Sequence, residues 1–174
     1  MAGWLAGQLA HAQAMMLLGA PTANGSKRVK PYTFCPTHIN WGLDNRTVLA
    51  RCIVEAGSSA NRVEFRAAGA DANPYLVIAA LLAAGADGIE QGLTPGAMSV
   101  GDQYTNPGDA EALAANLADA IDAFLGSRLA AQLGDTFSRS YASLARAEAA
   151  LAAVHCPDPT GVNDWERARY LEHC

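Results

Sequence analysis

The chain has 174 residues, of which 51% are hydrophobic and 17% are charged, so it is long enough for one sizeable core and its composition argues against disorder. A formal net charge of −5 leaves no basic surplus and argues against nucleic acid as a partner, and no apolar run reaches the about 20 residues that a bilayer span needs. Four cysteines without a CxxC spacing or a preceding secretory signal predict free thiols in the cytoplasm.

The first half of the chain predicts one helix, a long loop and a hairpin. Apolar residues at helical spacing predict an amphipathic helix over residues 2–18, and residues 24–44 are typical of a binding loop. Residues 46–54 and 62–66 alternate in polarity around a Gly-Ser turn, which predicts an antiparallel hairpin with Arg51 opposite Glu64. Two strands alone are marginal, so either the loop at 24–44 holds further strands or segments outside this sequence complete the sheet.

The second half is predicted to be helical. Asn73 and Pro74 form a helix start, and the run to Ile89 is apolar on nearly every side, which predicts a helix buried all round. Further helices are expected at 109–134, 136–153 and 160–172, the last opened by Thr160. The predicted fold class is α+β, mostly helical, with a small antiparallel sheet.

The strand at 62–66 carries charges at alternate positions. Arg62, Glu64 and Arg66 share one face because side chains alternate along a strand. One interpretation is a solvated sheet face with weak cross-strand ion pairs. The other is a phosphate and metal site, since arginine fits phosphate oxygens and a carboxylate among the arginines suits Mg²⁺ or Mn²⁺. The spacing alone leaves both open.

Cysteine and histidine neighbours at the C-terminal end suggest a weaker alternative. His155-Cys156 and His173-Cys174 are residue types that bind zinc, but two helix-like pieces separate the pairs, so surface or packed residues are the favoured interpretation.

Four segments together resemble the catalytic domain of the glutamine synthetase family. The charged strand and the helix after it resemble the family's Arg-x-Glu-x-Arg strand followed by Asn-Pro-Tyr-Leu, in the stretch NRVEFRAAGADANPYLVIAALLAAGADGIE. The order and spacing agree in three further stretches, namely NGSKRVKP, WGLDNRTVLARC and NDWERARYLEH. The resemblance covers nearly the whole chain, and the combination is more specific than any single motif.

The resemblance implies a ligase that phosphorylates the γ-carboxylate of glutamate with ATP and lets ammonia or another amine displace the phosphate. It also implies Mg²⁺ or Mn²⁺ as cofactor and a homo-oligomer as the complete assembly. The positions in the family's motifs imply a role for each residue. Arg28 holds the α-carboxylate of glutamate, and Arg66 contacts the transferred phosphoryl group and the substrate carboxylate. Arg46 and Arg51 neutralise phosphate oxygens, Arg62 lies against the nucleotide, and Glu64 is a metal ligand.

Two departures from the family pattern shape the expectations. The family's β-grasp domain and the earlier part of its catalytic domain, with most metal ligands, have no counterpart here, so residues 1–174 are expected to be a partial catalytic domain that is inactive alone. The alternative is a non-catalytic fragment that binds a partner such as a full-length homologue. In the loop that holds His38, a substrate-binding candidate, Phe34 replaces the glutamate of ammonia-using members, which favours a small organic amine as substrate.

Overall fold

The computed structural model describes residues 1–158 and 160–171, and the predicted α+β class is confirmed. The N-terminal half of the described chain holds α1 (Ala2–Ala10), α2 (Ala12–Gly19), α3 (Ala23–Ser26), β1 (Trp41–Leu43), β2 (Ala50–Ile53), β3 (Arg62–Phe65) and α4 (Pro74–Glu90). The C-terminal half holds α5 (Leu117–Leu125), α6 (Arg128–Leu133), α7 (Asp135–His155) and α8 (Asp164–Tyr170).

The helix predicted over residues 2–18 is divided into α1 and α2 at His11, whose backbone leaves the helical region with φ −99° and ψ 5°. The His11 ring turns to α4, where its Nε2 lies 2.8 Å from Oδ2 of the buried Asp87. α1 crosses α4 closely because Gly7 and Gly88 have no side chains, and a Cβ on either would overlap the backbone of the other helix. The division therefore accompanies a contact with a remote helix that the local pattern does not contain.

The three strands form a mixed sheet in the order β1-β2-β3. β2 and β3 are antiparallel and Arg51 pairs with Glu64, as predicted, but β1 comes from the loop at 24–44 and runs parallel to β2. The alternative that the loop at 24–44 holds a further strand is confirmed, and the small sheet is mixed rather than antiparallel throughout. β2 is also shorter than the predicted strand, because Asn45 Oδ1 accepts the Thr47 N–H at 2.8 Å and holds the preceding residues in a turn.

The predicted start of α4 is confirmed, since Asn73 Oδ1 accepts the N–H groups of Tyr75 and Leu76. The prediction that this helix is buried all round was wrong. Its outer face exposes the side chains of Tyr75, Ile78, Leu82 and Ile89, whose exposed fractions range from 55% to 82%. α4 packs on α1, α2 and α6 from one side only, so an apolar pattern on every side did not lead to burial on every side.

The helix predicted at 109–134 is two helices, α5 and α6. Residues before α5 are extended instead, because the Leu113 N–H bonds to the Thr37 carbonyl oxygen at 2.9 Å and ties them to the loop at 24–44. The last helix begins at Asp164, since Asn163 and Glu166 form a capping box at that point. The end predicted at residue 172 lies outside the described residues.

The main core lies between α2, α5 and α6. Its largest fully buried side chains include Met15, Leu17, Ile121, Phe124 and Leu129. A smaller cluster of Leu5, Ala50 and Cys52 lies beneath the sheet. The sheet thus rests with one face on the helical core and leaves its charged face outward.

Candidate functional site

The β2-β3 hairpin brings two arginines to one carboxylate. Arg51 Nη1 lies 3.0 Å from Glu64 Oε2, and Arg66 Nε lies 3.7 Å from Glu64 Oε1. This grouping follows from the alternation of side chains along β3 and from the cross-strand pairing of Arg51 with Glu64. The predicted grouping of these three residues on one face of the hairpin is confirmed.

Asp44 is a fourth member of this cluster that the sequence analysis missed. It follows β1 with φ 45°, in the left-handed region, and it forms an ion pair with Arg51. The hydrogen bond from Arg51 lowers the pKa of Asp44, and the positive charges of Arg51, Arg46 and Arg62 lower it further. One predicted arginine, Arg51, therefore contacts this carboxylate at the end of β1, and two others, Arg46 and Arg62, act on it through their charge. A signal was present in the sequence, since Asp-Asn immediately before a strand is typical of a turn.

Arg66 fixes the loop that contains Phe34. Its guanidinium donates from Nη1 to the Val48 carbonyl oxygen at 2.9 Å and from Nη2 to the Phe34 carbonyl oxygen at 3.0 Å. The side chain is only 9% exposed. A permanently charged, planar fork with two backbone acceptors is rigidly placed, which is the condition for an oxyanion contact that needs no reorganisation.

Arg28 contacts the backbone just after the residue Arg66. Its Nη1 lies 3.5 Å from the Ala67 carbonyl oxygen. Burial raises the pKa of the Cys35 thiol, and the positive charges of Arg28 and Arg66 oppose that rise. Both arginines therefore act on the same buried thiol through their charge.

The loop at residues 31–36 presents aromatic rings. The Phe34 side chain is 84% exposed, and both Tyr32 and Phe34 adopt a φ of 63°, which is uncommon for bulky residues. The Tyr32 ring packs 5.2 Å from that of Tyr104, a residue that the sequence analysis did not single out. Thr33 Oγ1 donates to the Lys30 carbonyl oxygen at 2.8 Å and tightens the loop. The Phe34 side chain is therefore exposed to solvent, while the backbone carbonyl of the same residue accepts a hydrogen bond from Arg66.

Two predicted residues are placed less centrally. His38 is half-buried, its Nδ1 lies 2.9 Å from Thr37 Oγ1, and its backbone pairs with Ala112, so its observed contacts lead towards α5. Arg62 is exposed and donates to the carbonyl oxygen of Ala60 at 2.9 Å, within its own turn. Its link to the cluster is electrostatic, since its positive charge helps to lower the pKa of Asp44.

The metal ligand predicted from the sequence is Glu64, which lies in this cluster. Its side chain is 42% exposed, so a cation can reach it. Within residues 1–158 and 160–171, no three His, Cys, Asp or Glu side chains are grouped to hold a metal ion. Mg²⁺ takes six oxygen ligands, of which several are usually water or substrate phosphate, so Glu64 fits as one carboxylate ligand of a larger set.

The zinc alternative gains no support from the described residues. The ring of His155 stacks on that of Trp165 at 5.1 Å, an ordinary packing role. The second pair, His173-Cys174, lies outside the described part of the chain. Cys35, Cys52 and Cys156 are free thiols, as predicted.

An open groove of about 780 Å³ lies elsewhere, between α7 and α8. Its lining includes Leu144, Leu151, Trp165 and Tyr170, and none of the predicted site arginines lines it. The arginine cluster by contrast is an open surface at the sheet and its loops. The arginine cluster therefore resembles one side of a binding site rather than an enclosed pocket.

Comparison with known proteins identifies the chain's relatives. Residues 1–170 match the family model described as glutamine synthetase, catalytic domain. The chain belongs to the glutamine synthetase family. It is 40% identical over 171 residues to the glutamate–isopropylamine ligase of a Pseudomonas species and 41% identical over 170 residues to the γ-glutamylethanolamide synthetase of Streptomyces coelicolor. It is 34% identical over 175 residues to the glutamine synthetase of Methanocaldococcus jannaschii.

These three matches each cover 97% of the chain. They cover only 36%, 35% and 37% of the respective relatives. The chain thus spans about a third of the length of the curated relatives it matches. Among solved structures, the GmaS/ADP complex in conformation 1 aligns with a TM-score of 0.77 and 35% identity, over 98% of this chain and 39% of that one. The fold and the family agree.

Among the described residues, no helix is both long and apolar enough to cross a membrane.

Proposed function

We propose that the protein carrying this chain is an ATP-dependent ligase that joins an amine to the γ-carboxylate of glutamate through γ-glutamyl phosphate. The observation that carries the proposal is the Arg51–Glu64–Arg66 cluster, on the strands that match the family's catalytic domain. A γ-carboxylate oxygen attacks the terminal phosphorus of ATP and ADP leaves; the amine nitrogen then attacks the acyl carbon, phosphate leaves, and the nitrogen loses a proton.

Both steps place negative charge on phosphoryl and acyl oxygens, and fixed arginines stabilise that charge. We assign Arg66 to the transferred phosphoryl group and the substrate carboxylate, because two backbone carbonyls hold its fork in place. Arg46 and Arg51 neutralise phosphate oxygens, and Arg62 lies against the nucleotide. Arg28, whose charge acts on the same buried Cys35 thiol as that of Arg66, holds the α-carboxylate of glutamate.

The proposed reaction also uses a divalent cation, Mg²⁺ or Mn²⁺, which would offset the negative charge of the ATP phosphates. Glu64 would supply one carboxylate oxygen to it. Since no three candidate metal ligands are grouped among the described residues, the isolated 174-residue chain is expected to show no ATP-dependent ligase activity. Purified chain that turned over glutamate and any amine would contradict this, with a heat-denatured sample as the control.

The proposed amine is organic rather than ammonia. Phe34 is exposed at the position where the resemblance places the family's ammonium-binding glutamate. A phenyl ring cannot accept a proton from ammonium, but it can pack against methylenes and attract a cationic end group. The relatives named for isopropylamine and ethanolamide support this choice, whereas the glutamine synthetases that also match leave ammonia as the competing substrate.

The test is phosphate release by the complete protein with glutamate and MgATP, comparing ammonium with isopropylamine, ethanolamine and a polyamine. We expect a higher kcat/KM for at least one organic amine than for ammonium. Phe34→Glu should shift the ratio towards ammonium by about 10-fold or more, because a carboxylate restores a base and a charge partner. Phe34→Leu, which stays apolar, is the matched control and should leave ammonium poor. Ammonium preferred over every amine in the parent would defeat the amine assignment but not the ligase assignment.

The assembly is proposed to be a homo-oligomer, as the family resemblance implies. The exposed apolar outer face of α4 is consistent with further contacts in the complete protein. Sedimentation of the complete protein as a monomer at micromolar concentration would contradict this part of the proposal.

A further inference from the structure

Glu166 is a buried carboxylate that the proposed reaction does not use. It lies in α8 and is 1% exposed. Lys27 Nζ lies 2.8 Å from its Oε1 and 2.9 Å from its Oε2. Asn24 Nδ2 donates to Oε1 at 3.1 Å, and the Asn163 N–H donates to Oε2 at 3.0 Å. A carboxylate kept from water and fully hydrogen-bonded constrains everything that it contacts.

The contacts join two segments that are remote in sequence. Lys27 and Glu166 are separated by 139 positions, and the Lys27 ammonium also donates to the Gly161 carbonyl oxygen in the segment before α8. The Lys27 side chain is 11% exposed. The C-terminal helix is therefore tied directly to the turn that follows α3.

That turn carries Arg28, the residue assigned to the α-carboxylate of glutamate. The hydrogen bond of the Arg28 guanidinium to Ala67 is long, at 3.5 Å. The backbone below it is held by the Arg28 and Val29 N–H groups, which bond to the carbonyl oxygens of Gly25 and Ser26 at 3.3 and 3.1 Å. The position of the guanidinium thus depends chiefly on where the turn places its backbone.

We propose that Glu166 and Lys27 are positioning residues: their buried ion pair fixes the turn at residues 25–29 so that Arg28 meets the α-carboxylate of glutamate. The inference rests on the proposed ligase function for its kinetic consequence, but the anchoring of the turn stands on the contacts alone. Glutamate affinity then depends on α8, a helix that contributes no residue to the cluster.

α8 has a second anchor that supplies a matched control. Arg169 pairs with Glu148 of α7, and the Arg169 guanidinium lies 5.3 Å from the centre of the Trp165 ring. The Arg169–Glu148 pair holds α8 on α7 without touching the turn at residues 25–29. Arg169→Met therefore disturbs the docking of α8 but not the buried pair, and Glu166→Gln does the reverse.

The first measurement is hydrogen exchange on the 174-residue chain. Glu166→Gln removes the charge at nearly constant shape and leaves the Lys27 ammonium unpaired, so amides in residues 25–31 should exchange about 10-fold faster. Arg169→Met should leave these amides unchanged. Equal protection of the turn in the parent and in Glu166→Gln would overturn the anchoring.

The second measurement is steady-state kinetics of the complete protein. Glu166→Gln should raise the KM for glutamate about 10-fold while kcat and the KM for ATP stay within about 2-fold. The double variant Lys27→Met/Glu166→Gln should be no worse than the worse single variant, because both remove one interaction. A glutamate KM equal to the parent's, or equal losses for ATP and glutamate, would overturn the positioning role.

Failure of the proposed ligase function and failure of the positioning role of Glu166 give different results. A parent with no glutamate-dependent ATP turnover would refute the proposed function, while the exchange experiment would still decide whether Glu166 anchors the turn. If Glu166→Gln does not fold by circular dichroism, Asn24→Ala gives a milder test, since it removes one hydrogen bond to the carboxylate and leaves the ion pair, and it should raise the glutamate KM about 3-fold. No change in that variant, either in exchange or in KM, would overturn the inference.

Discussion

Replacement of Arg66 by lysine tests whether the cluster depends on the guanidinium fork or only on its charge. Arg66 donates to two carbonyl oxygens, those of Val48 at 2.9 Å and Phe34 at 3.0 Å. A lysine has one ammonium on a flexible stem and cannot reproduce the fork. We expect Arg66→Lys to keep the more buried bond to Val48 and to release the exposed bond to Phe34.

The structure sets the size of the effect. A hydrogen bond from a charged donor contributes about 1.5–3 kcal/mol. Because Phe34 is 84% exposed, water can replace the lost donor, so the lower end of about 1.5 kcal/mol applies, which is about 10-fold in the opening of the loop. The global core is untouched, so the melting temperature should move by less than about 4 °C.

The assay is kcat/KM of the complete protein together with hydrogen exchange of residues 31–36. Arg66→Lys should lose about 10-fold or more in kcat/KM and expose the loop amides to exchange. Arg139→Lys is the matched control, since Arg139 forms an exposed ion pair with Asp135 on α7. Parental kinetics and loop protection in Arg66→Lys would refute the fork argument and return the strand to a solvated charged face.

Three further predictions concern metal use, packing and pH. Glu64→Gln should raise the Mg²⁺ concentration needed for half-maximal phosphoryl transfer without unfolding the protein, and an unchanged Mg²⁺ titration would contradict Glu64 as a ligand. Gly7→Ala should lower unfolding stability by about 1–3 kcal/mol in a denaturant titration, because its Cβ overlaps α4, whereas Gly126→Ala, with its nearest neighbour at 3.5 Å, should not. The hydrogen bond with His11 and a nearby arginine lower the pKa of Asp87, so its stabilisation is full above about pH 4 and lost as the pH falls; equal acid sensitivity in Asp87→Asn would contradict this.

The sequence by itself determined the local features of the site. Alternating charges and a Gly-Ser turn predicted Arg51 opposite Glu64, which the register confirms, because register in a hairpin follows from the turn and from the pattern of its strands. The Asn73 cap of α4 is equally local. The family resemblance then pointed to the arginines, and the family itself is shown by a model that matches residues 1–170.

Features that depend on remote partners were decided only by the tertiary structure. The parallel pairing of β1 with β2, the exposed face of α4 and the break at His11 each depend on a segment far along the chain. The left-handed backbone of Phe34 is another such feature, since a bulky residue has no local preference for it.

The buried pair of Lys27 and Glu166 shows the physical reason. Neither residue lies in a sequence pattern that indicates burial, because a charged side chain is buried only when its partner removes the cost of desolvation. That partner is 139 positions away. Local sequence therefore specified which charges the strands present, whereas packing of the C-terminal helix decided which residues contact the turn that carries Arg28.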